Sequence, residues 1–272
     1  MKDHPDLADL GRLLAVAHAC ADAARAPALA PFRSPALAAD DKGAGGRFDP
    51  VTAADREAEA AIRRVLAAER PGDAILGEEH GAADGETGIA WVIDPIDGTR
   101  GYIAGTPTWG VLIAANAGGA PVLGVIDQPF TGERFWGDAR AGRAFWQRGP
   151  ERRSLSVRPC ADLGDALLFS TFPEIGSAAE REGFAAVAAR TRLTRYGMDC
   201  YAYALLAMGC IDLVIEAGLH AYDIQAPMAV ITAAGGIVTD WRGGPCHDGG
   251  RIVAAGDARV HRAALALLSQ VP

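Results

Sequence analysis

The run Ile89-Ala90-Trp91-Val92-Ile93-Asp94-Pro95-Ile96-Asp97-Gly98-Thr99 decides how this chain reads. Its first five residues are apolar without a break, the pattern of a buried strand. Asp94 and Asp97 follow at the exit of that strand. Two carboxylates held so close repel each other unless a positive charge sits between them. Mg2+ meets that need, because it prefers oxygen ligands and takes carboxylates together with substrate phosphate. Gly98 and Thr99 then open a short helix, and the first N–H groups of a helix suit an anion. The segment thus offers metal ligands and a phosphate seat side by side. Asp, Pro and Gly are also ordinary turn residues, so the rest of the chain must decide between a site and a turn.

Working outward, Leu7, Leu10, Leu14, Ala17 and Ala21 recur at helical spacing and predict an amphipathic helix from residue 5 to about 25. The Asp40–Asp49 stretch, with Lys42 and three glycines, has the composition of a flexible loop. A second helix is expected from Thr52 to about Ala68, and a short strand over Ala74-Ile75-Leu76. Four short apolar runs follow the Asp94 strand: Trp109 to Ala117, Pro121 to Ile126, Arg134 to Gly137 and Arg143 to Gln147. Gly-rich turns separate them, as in an antiparallel meander. After Pro159 the pattern changes. Strands at Ala166–Ser170, Arg192–Tyr196, Ile211–Ile215, Ile237–Trp241 and Ile252–Ala255 alternate with helical stretches near 178–190, 199–209, 223–234 and 257–269. Such alternation suggests an α/β half, with a boundary near residue 158.

Further carboxylates sit where strands end or helices start. Asp55 lies in Thr52-x-x-Asp55, which fits a capping box. Glu78 and Glu79 follow a strand and Gly77, and a solvated turn is their plain alternative. Asp223 opens a helix after the loop Gly218-Leu219-His220-Ala221, a place where it would otherwise only cap. In α/β proteins such strand and helix ends are where ligand sites gather. Four unconnected structural roles in four matching places are less economical than one metal site. The histidines show no ligand spacing, and no GxSxG elbow, P-loop or GxGxxG is present.

Composition narrows the class. The 272 residues are 50% hydrophobic and 22% charged, enough for a large core and against disorder. A net charge of -8 disfavours nucleic acid as the partner. An acidic protein that binds phosphate needs local positive charge, which metal ions supply, and its surroundings would suit a substrate with a cationic group elsewhere. The five cysteines are odd in number and form no CxxC pair, which fits reduced thiols in a cytoplasmic protein. No signal peptide and no membrane span are expected.

These motifs together resemble the inositol monophosphatase superfamily of Mg2+-dependent phosphatases. Val51-Thr52-Ala53-Ala54-Asp55, Gly77-Glu78-Glu79, Trp91 to Thr99, and Tyr222-Asp223 through Ala233-Ala234-Gly235-Gly236 carry the resemblance, which covers nearly the whole chain. It implies an α/β fold, the layered αβαβα sandwich of the inositol monophosphatase and fructose-1,6-bisphosphatase type. Residues 1–158 would form an α+β subdomain with an antiparallel sheet, and residues 159–272 an α/β subdomain. It also implies phosphomonoester hydrolysis by an activated water, with two or three Mg2+ per site. Glu78, Asp94 and the carbonyl of Ile96 would bind one metal, and Asp94, Asp97 and Asp223 a second. Thr99 and Glu78 would activate the water, with Asp55 bonded to Thr99. The N–H groups of Gly98 and Thr99 would hold phosphate. Glu216 matches the position that contacts the alcohol part of the substrate. Relatives are commonly homodimers.

Three departures look like the histidinol-phosphate phosphatase branch, which serves histidine biosynthesis. Arg100 to Gly110 replaces the usual Thr-Asn-Phe continuation, Asp199-Cys200-Tyr201-Ala202-Tyr203 differs from inositol-cleaving members, and Tyr222 stands where Trp is usual. Histidinol carries an ammonium group, and Glu216 and Asp199 are candidates to pair with it. A helix cap for Asp199 and a solvated strand end for Glu216 are the plain alternatives. Lys42 is a candidate lid residue, against a plain solvated loop. Cleavage of inositol, sugar or nucleotide monophosphates is the alternative activity, and a metal-binding regulatory protein the non-enzymatic one.

Overall fold

A computed structural model describes residues 7–35, 37–41 and 50–272. The first half contains α1 (Leu7–Leu29), β1 (Ala39–Asp41), β2 (Pro50–Thr52), α2 (Ala53–Glu69), β3 (Ala74–Gly77), β4 (Gly81–Ala83), β5 (Ile89–Asp97) and α3 (Thr99–Ala104). The meander follows as β6 (Gly110–Ala117), β7 (Ala120–Gln128), β8 (Glu133–Asp138), β9 (Arg143–Arg148) and β10 (Glu151–Ser154). The second half has β11 (Leu167–Ser170), α4 (Ala178–Ala188), β12 (Leu193–Tyr196), α5 (Asp199–Ala207) and β13 (Leu213–His220). It closes with α6 (Ala221–Ala233), β14 (Ile237–Thr239), β15 (Gly249–Ala255) and α7 (Ala258–Leu268).

The strands form an eight-stranded sheet, ordered β10-β9-β8-β7-β6-β5-β3-β4, and a five-stranded one, ordered β12-β11-β13-β15-β14. Helices α1 and α2 cover one face of the large sheet, and α5 and α6 fill the layer between the sheets. Helices α4 and α7 cover the outer face of the small sheet. The result is the expected αβαβα sandwich. Period-two burial builds it. Trp91 and Ile93 of β5 pack toward α1 and α2, whereas Val92 packs toward α5 and α6. Val111 and Ile113 of β6 take the first side, and Leu112 and Ala114 the second. A strand buried on both faces needs apolar residues at every position, hence the unbroken run before Asp94. Each fully buried large side chain contributes about 1.5–3 kcal/mol. That offsets the cost of placing carboxylates at the end of β5.

Several boundaries differ from expectation. Helix α1 continues to Leu29, through Pro27, because Ala24 and Ala28 remain buried and Arg25 is fastened by Asp127, with contacts at 2.8 and 2.7 Å. Asp40 and Asp41 are not loop but strand β1, paired antiparallel with β2. Lys42 and the rest of the presumed lid lie outside the described residues. The large sheet is not wholly antiparallel, because β3 runs parallel to β5 and leaves the hairpin partner β4 at the edge. Strand β13 does not end near Glu216. It continues to His220 across an irregularity between Glu216 and Leu219. Of the cysteines, only Cys210 is exposed and none is in a disulfide. No helix among the described residues is long and apolar enough to cross a membrane.

Candidate active site

The site lies where β5 runs out of the large sheet. Strand β5 continues through Asp97, but its pairing with β6 breaks between Asp94 and Asp97. Asp94 stays opposite Leu112 and Asp97 opposite Gly110, and the break leaves Pro95 and Ile96 between them without a ladder partner. Asp94 is buried and its Oδ1 accepts from the Ile96 N–H at 3.1 Å. Asp97 Oδ2 accepts from the Cys200 N–H at 2.6 Å, which joins it to the start of α5. Asp223, on α6, accepts from the His220 N–H at 2.6 Å. Oxygens of Asp94, Asp97 and Asp223 come within 4.8 Å of one another. Residues far apart in sequence thus meet because α6 is packed against β5 and β6.

Burial first, and then Glu78, Asp97 and Asp223, push the Asp94 carboxyl well above its usual range. Burial, followed by Asp199 and Asp223, does the same to Asp97. Asp223 is also raised, mainly by burial. Carboxylates pushed up by one another's charge are stabilised in ionised form by a cation among them. All the donors are oxygen, so the set fits a hard divalent ion rather than a soft one.

Asp55 does both things its motif allowed. With Thr52 it forms a complete capping box at the start of α2, its Oδ2 accepting from Thr52 N at 2.8 Å and Thr52 Oγ1 at 2.6 Å. Its Oδ1 lies 3.5 Å from Thr99 Oγ1. That hydroxyl is also 3.2 Å from the Ile96 carbonyl oxygen. Gly98, just before α3, has φ +82, a left-handed conformation that glycine adopts at little cost. Glu78 follows β3, held by its N–H to the Ile93 carbonyl at 3.2 Å.

A cleft of about 840 Å³ contains Glu78, Asp97, Gly98, Thr99, Asp199 and Glu216 in its lining, together with Asp223. Glu216 is not a solvated strand end. It is buried, and accepts from Thr171 N at 2.6 Å, Thr171 Oγ1 at 3.0 Å and Ser170 Oγ at 3.3 Å. Burial raises its carboxyl to about 8 despite those donors. Asp199 is not a side-chain cap either. It is the first residue of α5, with φ +45, and it packs directly against Gly98. Burial pushes it up to about 6, and the nearby Arg100 pulls it back.

Sequence reasoning missed several residues of this cleft, Thr171, Phe172, Glu174 and His220 among them. Thr171, Phe172 and Glu174 lie on the connection after β11, which carries no motif. His220 shows no ligand spacing, yet its ring stacks on Tyr222 at 5.1 Å and its N–H donates to the Asp223 carboxylate. The neighbouring Tyr222-Asp223 pair was the available signal.

Carboxylates that meet at the end of an interior strand, beside a helix start in a layered αβαβα sandwich, suit a hard cation and a phosphate together. The chain matches the model of the inositol monophosphatase family over residues 9–272, and it belongs to that family. It is a phosphoric monoester hydrolase acting on small-molecule phosphates, in a family that generally uses Mg2+. It is 39% identical to the bifunctional phosphatase IMPL2, chloroplastic, of Arabidopsis thaliana, over 94% of this chain and 75% of that one. It is 36% identical to a histidinol-phosphatase of Streptomyces coelicolor, covering 98% and 99% of the two chains. Among solved structures, an inositol monophosphatase from Zymomonas mobilis superposes with a TM-score of 0.84 at 37% identity, covering 97% of this chain and 100% of that one.

Proposed function

We propose that this enzyme hydrolyses histidinol phosphate to histidinol and inorganic phosphate. The observation that carries the proposal is the buried Glu216 carboxyl in the cleft wall, with Asp199 in the same lining. Two carboxyl groups outside the metal-binding cluster suit a leaving group with a cationic amine. Relatives from Mycobacterium tuberculosis and Streptomyces coelicolor that are named histidinol-phosphatases, 37% and 36% identical, support the same substrate.

In this proposal Glu78, Asp94 and the Ile96 carbonyl would hold one Mg2+, and Asp94, Asp97 and Asp223 would hold another. Such ions, when bound, acidify the attacking water and stabilise charge on the phosphoryl oxygens. Thr99 and Glu78 would orient that water, and the Glu78 carboxylate would take its proton. Asp55 accepts from the Thr99 hydroxyl and so keeps its lone pair facing the water. The N–H groups of Gly98 and Thr99 hold phosphate oxygens, and Glu216 and Asp199 pair with the amine. The chain then works as two halves, residues 1–158 supplying most of the metal-binding residues and 159–272 supplying Asp223 and the substrate contacts.

The test is phosphate release from histidinol phosphate, inositol 1-phosphate and 3′-phosphoadenosine phosphate under identical conditions. A kcat/KM highest for histidinol phosphate is expected. A preference for inositol phosphate would replace this substrate with that of the Zymomonas mobilis neighbour.

A further inference from the structure

Glu59 has no part in the chemistry above, yet it is fully buried on α2. A buried carboxylate is costly unless hydrogen bonds or charge compensate it. Here the compensation comes from the turn that carries Glu78. Glu59 Oε2 accepts from the Glu79 N–H at 2.7 Å, and Oε1 accepts from the His80 N–H at 3.2 Å. The Arg63 Nε–H, one helical turn on, donates to Oε1 at 2.7 Å. The same guanidinium reaches across to donate to the Gly81 carbonyl. Strands β3 and β4 close this hairpin with Gly77 opposite Gly81, so the turn residues are 78–80. Their N–H groups are therefore bound to the Ile93 carbonyl and to Glu59, and Arg63 holds the far end.

Gly77 shows how close the approach is. A Cβ there would collide with the Glu59 carboxylate oxygens, so only glycine lets the carboxylate under the turn. Asp55 and Glu59 are four residues apart and share one face of α2. One end of that face touches Thr99 and the other holds the Glu78 turn.

We infer that Glu59, clamped by Arg63, is a positioning residue that fixes Glu78 relative to Thr99 for metal binding. The inference rests on the proposed role of Glu78 as a metal ligand. Glu59→Gln keeps the shape of the side chain but replaces one acceptor oxygen with an NH2 group. That group would face an N–H donor, so the turn must shift and carry Glu78 with it. Residues that orient metal ligands typically change metal affinity by about 10- to 100-fold when altered.

The experiment measures Mn2+ binding to the whole protein from the electron paramagnetic resonance signal of free Mn2+, with no substrate present. Four variants are compared with the wild type. Asp94→Asn checks the site itself. If it binds Mn2+ like the wild type, the metal assignment falls, independently of Glu59. Leu66→Ala removes a buried side chain from the same helix without touching the turn, and serves as the destabilised control. Glu59→Gln should weaken Mn2+ binding about 10- to 100-fold, while Leu66→Ala melts earlier with its Mn2+ affinity intact. If Glu59→Gln does not fold, Arg63→Met is read instead. Its side chain is mostly solvent-shielded but not fully buried, and it should show the same direction with a smaller loss. Unchanged Mn2+ affinity in the folded Glu59 or Arg63 variant would overturn the inference. So would an equal loss in Leu66→Ala, which would make the effect one of general stability.

Discussion

Glu216 gives the sharpest test of the substrate assignment, because its titration makes the effect depend on pH in a calculable way. The carboxyl lies in the cleft wall under three hydrogen bonds from Thr171 and Ser170, and burial holds it at about 8. At pH 7 it is therefore mostly protonated, with about one molecule in eleven ionised, and at pH 8 about half are. A cationic substrate binds the ionised form. The selectivity ratio, kcat/KM for histidinol phosphate over that for p-nitrophenyl phosphate, should therefore rise about fivefold from pH 7 to pH 8. Dividing by the uncharged-alcohol substrate removes pH effects that arise at the metals. A charge-assisted hydrogen bond is worth about 1.5–3 kcal/mol, or about 10- to 150-fold. Glu216→Gln should lose that factor at high pH. At pH 7 it should lose about tenfold less, because the wild type must first give up a proton. The variant's ratio should also be flat with pH. Equal losses for both substrates would mean that Glu216 supports the fold or the metals. A pH-dependent ratio surviving in Glu216→Gln would assign the titration to another group.

Four further outcomes are expected. Exhaustive EDTA treatment should abolish phosphate release, with Mg2+ or Mn2+ restoring it and Zn2+ not, since the donors near Asp94 are all oxygen; full activity after chelation would refute this. Asp94→Asn should depress kcat far more than Glu79→Gln, as Asp94 is assigned to bridge both metals; comparable rates at saturating metal would contradict the bridging role. Thr52→Ala should lose about 0.5–2 kcal/mol in urea unfolding with an unchanged m-value, the worth of the cap in which Thr52 Oγ1 accepts from the Ala54 N–H of α2; an unaltered midpoint would show that the cap contributes nothing. The metal-free protein should melt at a lower temperature as pH rises. Folding raises the carboxyls of Asp94, Asp97, Asp223 and Glu216, so the folded state binds more protons above their unfolded values near 4. Stability is then greatest below about pH 4 for these groups and is lost through about pH 8, where Glu216 ionises. Mg2+ should raise the melting temperature more at pH 8 than at pH 6, and a smaller rise at pH 8 would count against it.

Most of the element order and the candidate carboxylates were legible in the sequence, whereas the layered class came from the family resemblance. Periodicity is a local property, so the unbroken run before Asp94 announced a buried strand. The strand–helix alternation after Pro159 announced the second sheet for the same reason. Asp55, Asp94, Asp97 and Asp223 were legible because each stands at a strand or helix end, where local spacing is informative. Local spacing does not say what a side chain faces across the molecule. That β3 lies parallel to β5 became visible only in three dimensions, since pairing depends on which edge a distant segment reaches. Only the folded chain revealed that Glu216 is buried under the Thr171 backbone, because nothing near Glu216 in sequence reports a partner 45 residues away. It also separated Glu59 from the other glutamates of α2. Alone in the sequence Glu59 is one more charged helix residue, and its function comes from a glycine in β3 and two N–H groups of the turn beyond it.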